Sequence, residues 1–115
     1  MTESEHPYSE AFDDHGTVYV SGALSVDVNG KAVSGRAEAL DAAMKTLRRR
    51  LGTVGLDLEH VVKTTYYVTD VSLRTEANEH YAATFASPRP ARTFVEVSAL
   101  PYGATVEIEA VARRR

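Results

Sequence analysis

The chain has 115 residues, a formal net charge of −3 at pH 7 and 43% hydrophobic residues. This length fits one soluble globular domain, residues 1–115. The sequence contains no cysteine, which excludes disulfides, thiolate zinc sites and a cysteine nucleophile. The acidic balance argues against a general binder of nucleic-acid backbones. The basic clusters at 48–50 and 113–115 are interpreted as solvated ends of elements, so we expect no nucleic-acid partner.

The sequence shows neither a membrane-spanning segment nor a secretory signal. No apolar run approaches the ~20 residues that a bilayer-spanning helix needs. The acidic start, residues 1–6, is not followed by the apolar stretch of a secretory signal. We therefore expect a cytoplasmic protein with no membrane partner.

The first half of the chain predicts a strand followed by a helix. Residues 17–21 are β-branched and aromatic, which favours a strand, and Gly22 is expected to close it. Residues 34–51 carry apolar side chains at steps of three or four, the pattern of an amphipathic helix. Ser34 is a candidate N-cap of this helix and Gly52 its stop.

The second half predicts strand, helix, strand, strand. Residues 61–69 alternate as a strand, with Val62 on the same face as the residues two, four and six positions later. Leucine, alanine and aromatic residues recur at helical spacing over 73–85. Two further alternating segments, 92–97 and 105–112, predict the last strands.

This order of elements predicts an α+β fold with a single mixed β-sheet and two helices packed on one face. The other face of the sheet then needs cover. We place Tyr67, Phe94 and Val111 on the partly polar sides of their strands, and this favours association into an oligomer.

Two polar residues in the strands are candidates for chemistry. Arg92 opens a strand, and a guanidinium can hold a carboxylate by two parallel hydrogen bonds. The alternative is an exposed arginine paired with Glu96. Glu107 interrupts an apolar strand, with Glu109 about 6.8 Å away on the same face. That spacing resembles an inverting glycosidase, although an ordinary exposed polar face explains it more simply.

The four histidines, at positions 6, 15, 60 and 80, have none of the spacings typical of metal ligands. We therefore predict no metal site.

Several segments taken together resemble successive blocks of the RidA (YjgF) family, in the family's order and over nearly the whole chain. The blocks that carry the resemblance are Pro7-Tyr8-Ser9-Glu10-Ala11, Val18-Tyr19-Val20-Ser21-Gly22, Val61-Val62-Lys63-Thr64-Thr65-Tyr66-Tyr67-Val68-Thr69-Asp70, Asn78-Glu79-His80-Tyr81, Pro90-Ala91-Arg92-Thr93-Phe94-Val95-Glu96-Val97, Leu100-Pro101-Tyr102-Gly103-Ala104 and Val106-Glu107-Ile108-Glu109-Ala110.

The resemblance implies a fold like that of chorismate mutase from bacilli and a homotrimer with three clefts between subunits. It also implies hydrolysis of reactive enamines and imines, such as 2-aminoacrylate and 2-imino acids, to 2-keto acids and ammonia. No cofactor is implied. By the same resemblance, Arg92 binds the substrate carboxylate and Glu107 positions or activates the attacking water. The other implied cleft positions are Tyr8, Ser21, Gly22 and the main chain at Phe94, which hydrogen-bonds the reacting group.

The chain departs from the family pattern at several positions, two of them in the first helix. Ala23, Ala39 and Thr46 stand where many members carry Gln or Asn. Phe94 replaces a small residue or Cys, and we expect its ring to reshape the cleft.

Strand geometry predicts how the two principal residues meet. If segments 92–97 and 105–112 form a hairpin, Arg92 lies about 13 Å from Glu107 along the ladder. We therefore predict that the two residues meet across a subunit boundary. The alternatives are a non-catalytic trimer that binds small carboxylates or keto acids and, less favoured by the acidic charge, a ribonuclease.

Overall fold

The computed structural model describes residues 6–115, so most of the acidic start considered above lies outside it. In the described part, one mixed sheet has the strand order β1-β2-β5-β3-β4. Only the pair β3 and β4 is parallel. The predicted α+β architecture, a mixed sheet with two helices, is confirmed. The strands and helices are β1 (Ala11–Asp14), β2 (Thr17–Leu24), α1 (Arg36–Gly52), β3 (Val61–Val68), α2 (Arg74–Thr84), β4 (Ala91–Glu96) and β5 (Val106–Arg113).

The core lies between the helices and one face of the sheet. In β5 the alternation is strict: Val106, Ile108 and Ala110 are buried, while the residues between them are partly exposed. The apolar positions predicted in the second helical segment are buried as well. Burial of such apolar area is the main stabilising contribution to a fold of this size.

The prediction that Gly22 closes the second strand is wrong, because β2 continues beyond it. Pairing with β5 is interrupted between Val20 and Ala23. At this β-bulge, Ser21 and Gly22 lie opposite the single residue Glu109 of β5. The bulge brings the main chain of β2 against side chains of β5.

Two other predicted details differ from the structure. Val62 is exposed, since an irregularity between Val61 and Lys63 shifts the alternation of β3 by one residue. Helix α1 is preceded by Gly35, whose φ of 95° suits glycine, and no side chain caps it; Ser34 is therefore not its N-cap.

The predicted hairpin of the last two strands is also wrong. Helix α2 crosses over the sheet and returns the chain in the same direction, so β4 pairs with β3 in parallel. Strand β5 lies on the other side of β3, between β3 and β2. Within residues 6–115, none of the helices is both long and apolar enough to cross a membrane.

Candidate active site

Arg92 lies on the helix-covered face of the sheet, within a box of aromatic rings. Strand register pairs it with the buried Thr64 of β3. The guanidinium carbon is 5.4 Å from the centroid of the Tyr66 ring and 5.0 Å from those of Tyr81 and Phe94. Each such cation–π contact contributes about 0.5–2 kcal/mol. The rings thus hold the cation in place from within one chain.

The hydrogen bonds of this guanidinium are incomplete. Nη2 of Arg92 donates to Oδ1 of Asn78 on α2. Nη1 is buried and has no hydrogen-bond partner among residues 6–115. The alternative pairing with Glu96 is wrong, since that carboxylate accepts a hydrogen bond from Val71 N at 2.8 Å. Burial lowers the pKa of Arg92, yet guanidinium stays protonated in proteins, so it remains a cation with a donor to spare.

The aromatic box is built by β3, β4 and α2 together. The Tyr81 hydroxyl shares a 2.8 Å hydrogen bond with Thr64 Oγ1. Tyr66 stacks on Phe94 at 5.7 Å between centroids, and its own hydroxyl is buried with no partner in the described chain. Burial raises the pKa of Tyr66. Phe94 therefore lies on the helix-covered face and not on the open face, which corrects the prediction made from its strand.

Glu107 occupies the opposite, open face of the sheet, folded over a glycine. A Cβ placed on Gly22 would lie 2.6 Å from Oε2 of Glu107, closer than real side chains approach. Arg50 of α1 supports the bulge beneath, because its Nη1 donates to the carbonyls of Ser21 and Gly22 at 2.9 and 3.0 Å. The side chain of Arg50 is buried, so the interpretation of 48–50 as a solvated end fails at this residue.

The surroundings of Glu107 raise its pKa above that of an ordinary glutamate. Burial raises the pKa of this carboxyl, and the charge of Glu109 raises it further, while Arg50 opposes both. A carboxyl perturbed in this way is suited to proton transfer closer to neutral pH than an exposed glutamate.

The segment that contains Tyr8 is attached to the same bulge. Ser21 Oγ donates to the carbonyl of Ser9 at 2.6 Å, and Ser21 N donates to the carbonyl of Glu10 at 3.0 Å. Tyr8 is about half exposed and stacks on His6, with 4.7 Å between ring centroids. The structure therefore gathers the bulge, Glu107 and the chain beside Tyr8 into one region.

Within one chain the two regions are separate. Arg92 aligns through Thr64 with Ala110, and Glu107 aligns with Tyr67, three positions further along β3. Three residues span about 10 Å along a strand, and two strand spacings add about 10 Å across the sheet. Because the offset is an odd number of residues, the two side chains also point to opposite faces. Within one chain the two side chains are far apart, as predicted. The reason is that β4 and β5 lie on opposite sides of β3, whereas the prediction assumed a hairpin of these two strands.

Two depressions on the described part of the chain lie away from both Arg92 and Glu107. A depression of about 190 Å³ lies beside the start of α1, and one of about 160 Å³ lies on the open face; neither Arg92 nor Glu107 lines them. No group of three or more His, Asp or Glu in residues 6–115 is arranged to hold a metal ion.

A family model described as Endoribonuclease L-PSP matches residues 1–114 of the chain. The chain belongs to this family. Among its relatives, the human 2-iminobutanoate/2-iminopropanoate deaminase is 42% identical over 108 residues, covering 92% of this chain and 79% of the human protein. RutC family protein y4sK of Sinorhizobium fredii is 41% identical, covering 91% of this chain and 85% of that protein.

Solved structures agree with the family assignment. RidA from the Antarctic bacterium Psychrobacter superposes with a TM-score of 0.88 at 33% identity, covering 95% of this chain and 89% of that chain. The YjgF gene product of Escherichia coli superposes with a TM-score of 0.84 at 27% identity, covering 98% and 92%. The expected membership in the RidA (YjgF) family is confirmed.

For this RidA family member, the structure adds residues that the sequence analysis missed. Asn78 and Tyr81 both contact Arg92, and their spacing of three residues on a helix was an available sign that they share a face. No pattern in the sequence indicated that Tyr66 and Arg50 belong to these two regions. Their roles depend on the pairing of β3 with β4 and on the bulge of β2.

Proposed function

We propose that the chain hydrolyses reactive enamines and imines, such as 2-aminoacrylate and 2-imino acids, to 2-keto acids and ammonia. Several relatives of about 40% identity are named 2-iminobutanoate/2-iminopropanoate deaminase, so the chain is a deaminase-like enzyme. The proposal adds the hydrolytic step and a site shared between subunits. It also takes residues 1–115 as one domain of chorismate-mutase-like fold (bacillus type), assembled as a homotrimer and working in the cytoplasm.

The observation that carries the proposal is the state of Arg92. A guanidinium with its faces against aromatic rings can receive an anion only at its edge, and Nη1 has no partner in residues 6–115. The carboxylate of a 2-imino acid is planar and matches such an edge. A charge-assisted hydrogen bond of this kind contributes about 1.5–3 kcal/mol.

The chemistry then needs only a placed water and a route for protons. The imine carbon is electrophilic, so water held by Glu107 can add to it: the carboxylate of Glu107 accepts one proton of the water and passes it to the imine nitrogen, which gives the carbinolamine. As the carbinolamine collapses, Glu107 takes the proton of its hydroxyl and delivers it to the same nitrogen, so that the C–N bond breaks, ammonia leaves and the C=O of the keto acid forms. Orientation supplies most of the acceleration in such a step, and the raised pKa of Glu107 supports its acid–base role.

Other residues line this cleft in the proposal. The main chain at Phe94 hydrogen-bonds the reacting group, beside the carboxylate held by Arg92. Tyr8, Ser21 and Gly22 close the cleft on the side of Glu107, in agreement with the hydrogen bonds that join the segment 8–10 to the bulge.

A second copy of the chain is needed because Arg92 and Glu107 point to opposite faces. The open face carries exposed apolar side chains that a neighbouring subunit would cover, including Phe12, Tyr19 and Val95. In a closed ring, the same head-to-tail contact repeats, so each cleft takes Arg92 from one protomer and Glu107 from its partner.

Mixing two inactive variants tests the shared site. The imine is generated in the assay by an amino acid dehydratase, and its loss is followed. Arg92→Ala and Glu107→Ala are each expected to abolish the acceleration. Co-expressed with different tags and isolated as mixed trimers, they should recover about a third of the wild-type activity, because one of the three clefts of each mixed head-to-tail ring pairs an intact residue of each kind.

The result that overturns the shared site is a mixed oligomer as inactive as its parents. Full activity of either single variant would overturn the role assigned to that residue. Saturable binding of 2-keto acids without turnover by the wild type, with unchanged affinity in Glu107→Ala, would instead establish the alternative of a non-catalytic binding trimer.

A further inference from the structure

We propose that Tyr67 and Glu109 form a positioning pair that holds a second carboxylate beside Glu107 and thereby sets the pH range in which Glu107 exchanges its proton. Its consequence for catalysis rests on the proposed function. The pair itself is a feature of the open face that neither the sequence analysis nor the reaction described above uses.

The geometry places three groups in one row. Glu107 and Glu109 are two residues apart in β5 and share a face, with about 6.8 Å between their Cα atoms. Tyr67 of β3 is the direct register partner of Glu107, yet its hydroxyl donates to Oε1 of Glu109 at 2.5 Å. A short hydrogen bond to an ionised acceptor is among the stronger ones in proteins, so it fixes where the Glu109 charge lies.

The bulge of β2 leaves room for the side chain of Glu107 next to Glu109. Ser21 and Gly22 lie opposite Glu109, and the carboxyl group of Glu107 occupies the place that a Cβ of Gly22 would take. The glycine therefore lets Glu107 stay where the charge of Glu109 acts on it. An exposed pair of glutamates would turn apart into solvent, whereas Tyr67 prevents this for Glu109.

The charged and titratable groups around Glu107 come from β5, α1, β3 and the segment that precedes β1. Glu109 of β5 raises its pKa and Arg50 of α1 lowers it. The carboxylate of Glu10, before β1, lies 3.7 Å from Nε of Arg50 and weakens that influence. The hydrogen bond to Glu109 raises the pKa of Tyr67 of β3, so Tyr67 remains a protonated donor at neutral pH.

The consequence for the reaction is a division of roles between two carboxylates. Glu107 exchanges the proton, and the charge of Glu109, held by Tyr67, raises the pKa at which it does so. This resembles in principle other sites where neighbouring carboxylates titrate apart. Neither Tyr67 nor Glu109 needs to touch the substrate.

The test measures the titration of Glu107 directly, by NMR of the protein labelled with ¹³C at glutamate carboxyl groups. Glu109→Gln removes the second charge and should lower the pKa of Glu107. Tyr67→Phe frees Glu109 to turn away and should lower it by a smaller amount. Two control variants should leave it unchanged: Glu59→Gln, which removes one exposed negative charge in the turn before β3, and Tyr102→Phe, which removes one exposed tyrosine hydroxyl.

Activity provides the second measurement. The acid limb of the pH profile of kcat/KM for imine hydrolysis should move to lower pH in Glu109→Gln and in Tyr67→Phe, and stay in place in the two controls. Thermal unfolding identifies any variant that fails to fold, and the other variant then decides the test.

The inference is overturned if Glu107 titrates in both variants at the wild-type pH, or moves no further than in Glu59→Gln. Because the NMR titration needs no substrate, this result is distinct from failure of the proposed function. A protein with the predicted Glu107 titration and no imine hydrolysis would retain the pair and remove the deaminase proposal.

Discussion

The regions around Arg92 and Glu107 are built in opposite ways. Arg92 is held by side chains of its own chain, three aromatic rings and an amide, on the face that the helices cover. Glu107 is shaped by main chain, a bulge and a glycine, on the face left open. Under the proposed function, the group that binds the anion is therefore preformed in one chain, whereas the group that transfers the proton needs a second subunit to complete its surroundings.

The largest effect is expected from Gly22→Ala. The added methyl would lie 2.6 Å from Oε2 of Glu107, so the carboxylate must move. A displacement of about 1 Å at a reacting group can cost roughly 10²-fold in rate, and we expect a loss of that order in kcat for imine hydrolysis with the fold intact. Gly52→Ala, where a Cβ meets nothing within 4 Å, is the matched control. Unchanged kcat in Gly22→Ala would show that Glu107 does not need this position.

Arg92→Lys tests the other region. Lysine keeps the charge but loses the planar fork that binds a carboxylate edge. Loss of one charge-assisted hydrogen bond corresponds to roughly a 10- to 100-fold decrease in kcat/KM, expected mainly as a higher KM. Arg89→Lys, a nearby exposed arginine bound to the carbonyl of Ala82, should retain wild-type kinetics. An unaltered KM in Arg92→Lys would contradict the anchoring role.

The aromatic box offers a contrast between two tyrosines. Tyr81→Phe removes the hydrogen-bond partner of the buried Thr64 hydroxyl and should lower the free energy of unfolding by about 1–3 kcal/mol. Tyr66→Phe removes a buried hydroxyl that has no partner in residues 6–115, so it should be neutral or slightly stabilising. Urea denaturation of both variants measures the difference. A destabilised Tyr66→Phe would mean that its hydroxyl acquires a partner in the assembled protein.

The smallest effect concerns stability against pH. A carboxyl whose pKa is raised by folding contributes stability below its ordinary pKa and loses it as pH rises through the raised value. Glu107 is such a group. The variant Glu107→Gln lacks this titration, so it should lose less stability than the wild type when the pH rises from acid to neutral. Asp57 is the reverse case, because its hydrogen bonds with Arg48 and then with the Leu58 main chain lower its pKa. Its stabilisation is present above the ordinary pKa and is lost as pH falls.

Stability is measured at constant protein concentration. As the pH rises from acid to neutral, Glu107→Gln should become more stable relative to the wild type and Asp57→Asn less stable. Asp57→Asn should be destabilised mainly near neutral pH. Parallel stability curves for wild type and Glu107→Gln from acid to neutral pH would contradict the proton affinity assigned to Glu107.

Local patterns in the sequence predicted most of the elements and the two principal candidate residues. Alternation in β5 and helical spacing in α1 and α2 depend on neighbours within a few positions, and these are visible in the sequence. The same alternation predicted that Phe94 and Arg92 share a face. It did not predict which face the helices cover, because that depends on where β4 is inserted.

The sequence by itself determined the type and order of the elements from β2 to β5, the family and the presence of an arginine and a glutamate in the last two strands, whereas it did not predict β1. Only the tertiary structure decided that β4 lies beside β3, that Arg50 is buried under a bulge and that Arg92 and Glu107 point to opposite faces. The physical reason is the distance along the chain over which the interactions act. Periodicity records which side chains of one segment share a face, whereas strand neighbours and bulges are chosen by packing between segments far apart in the chain.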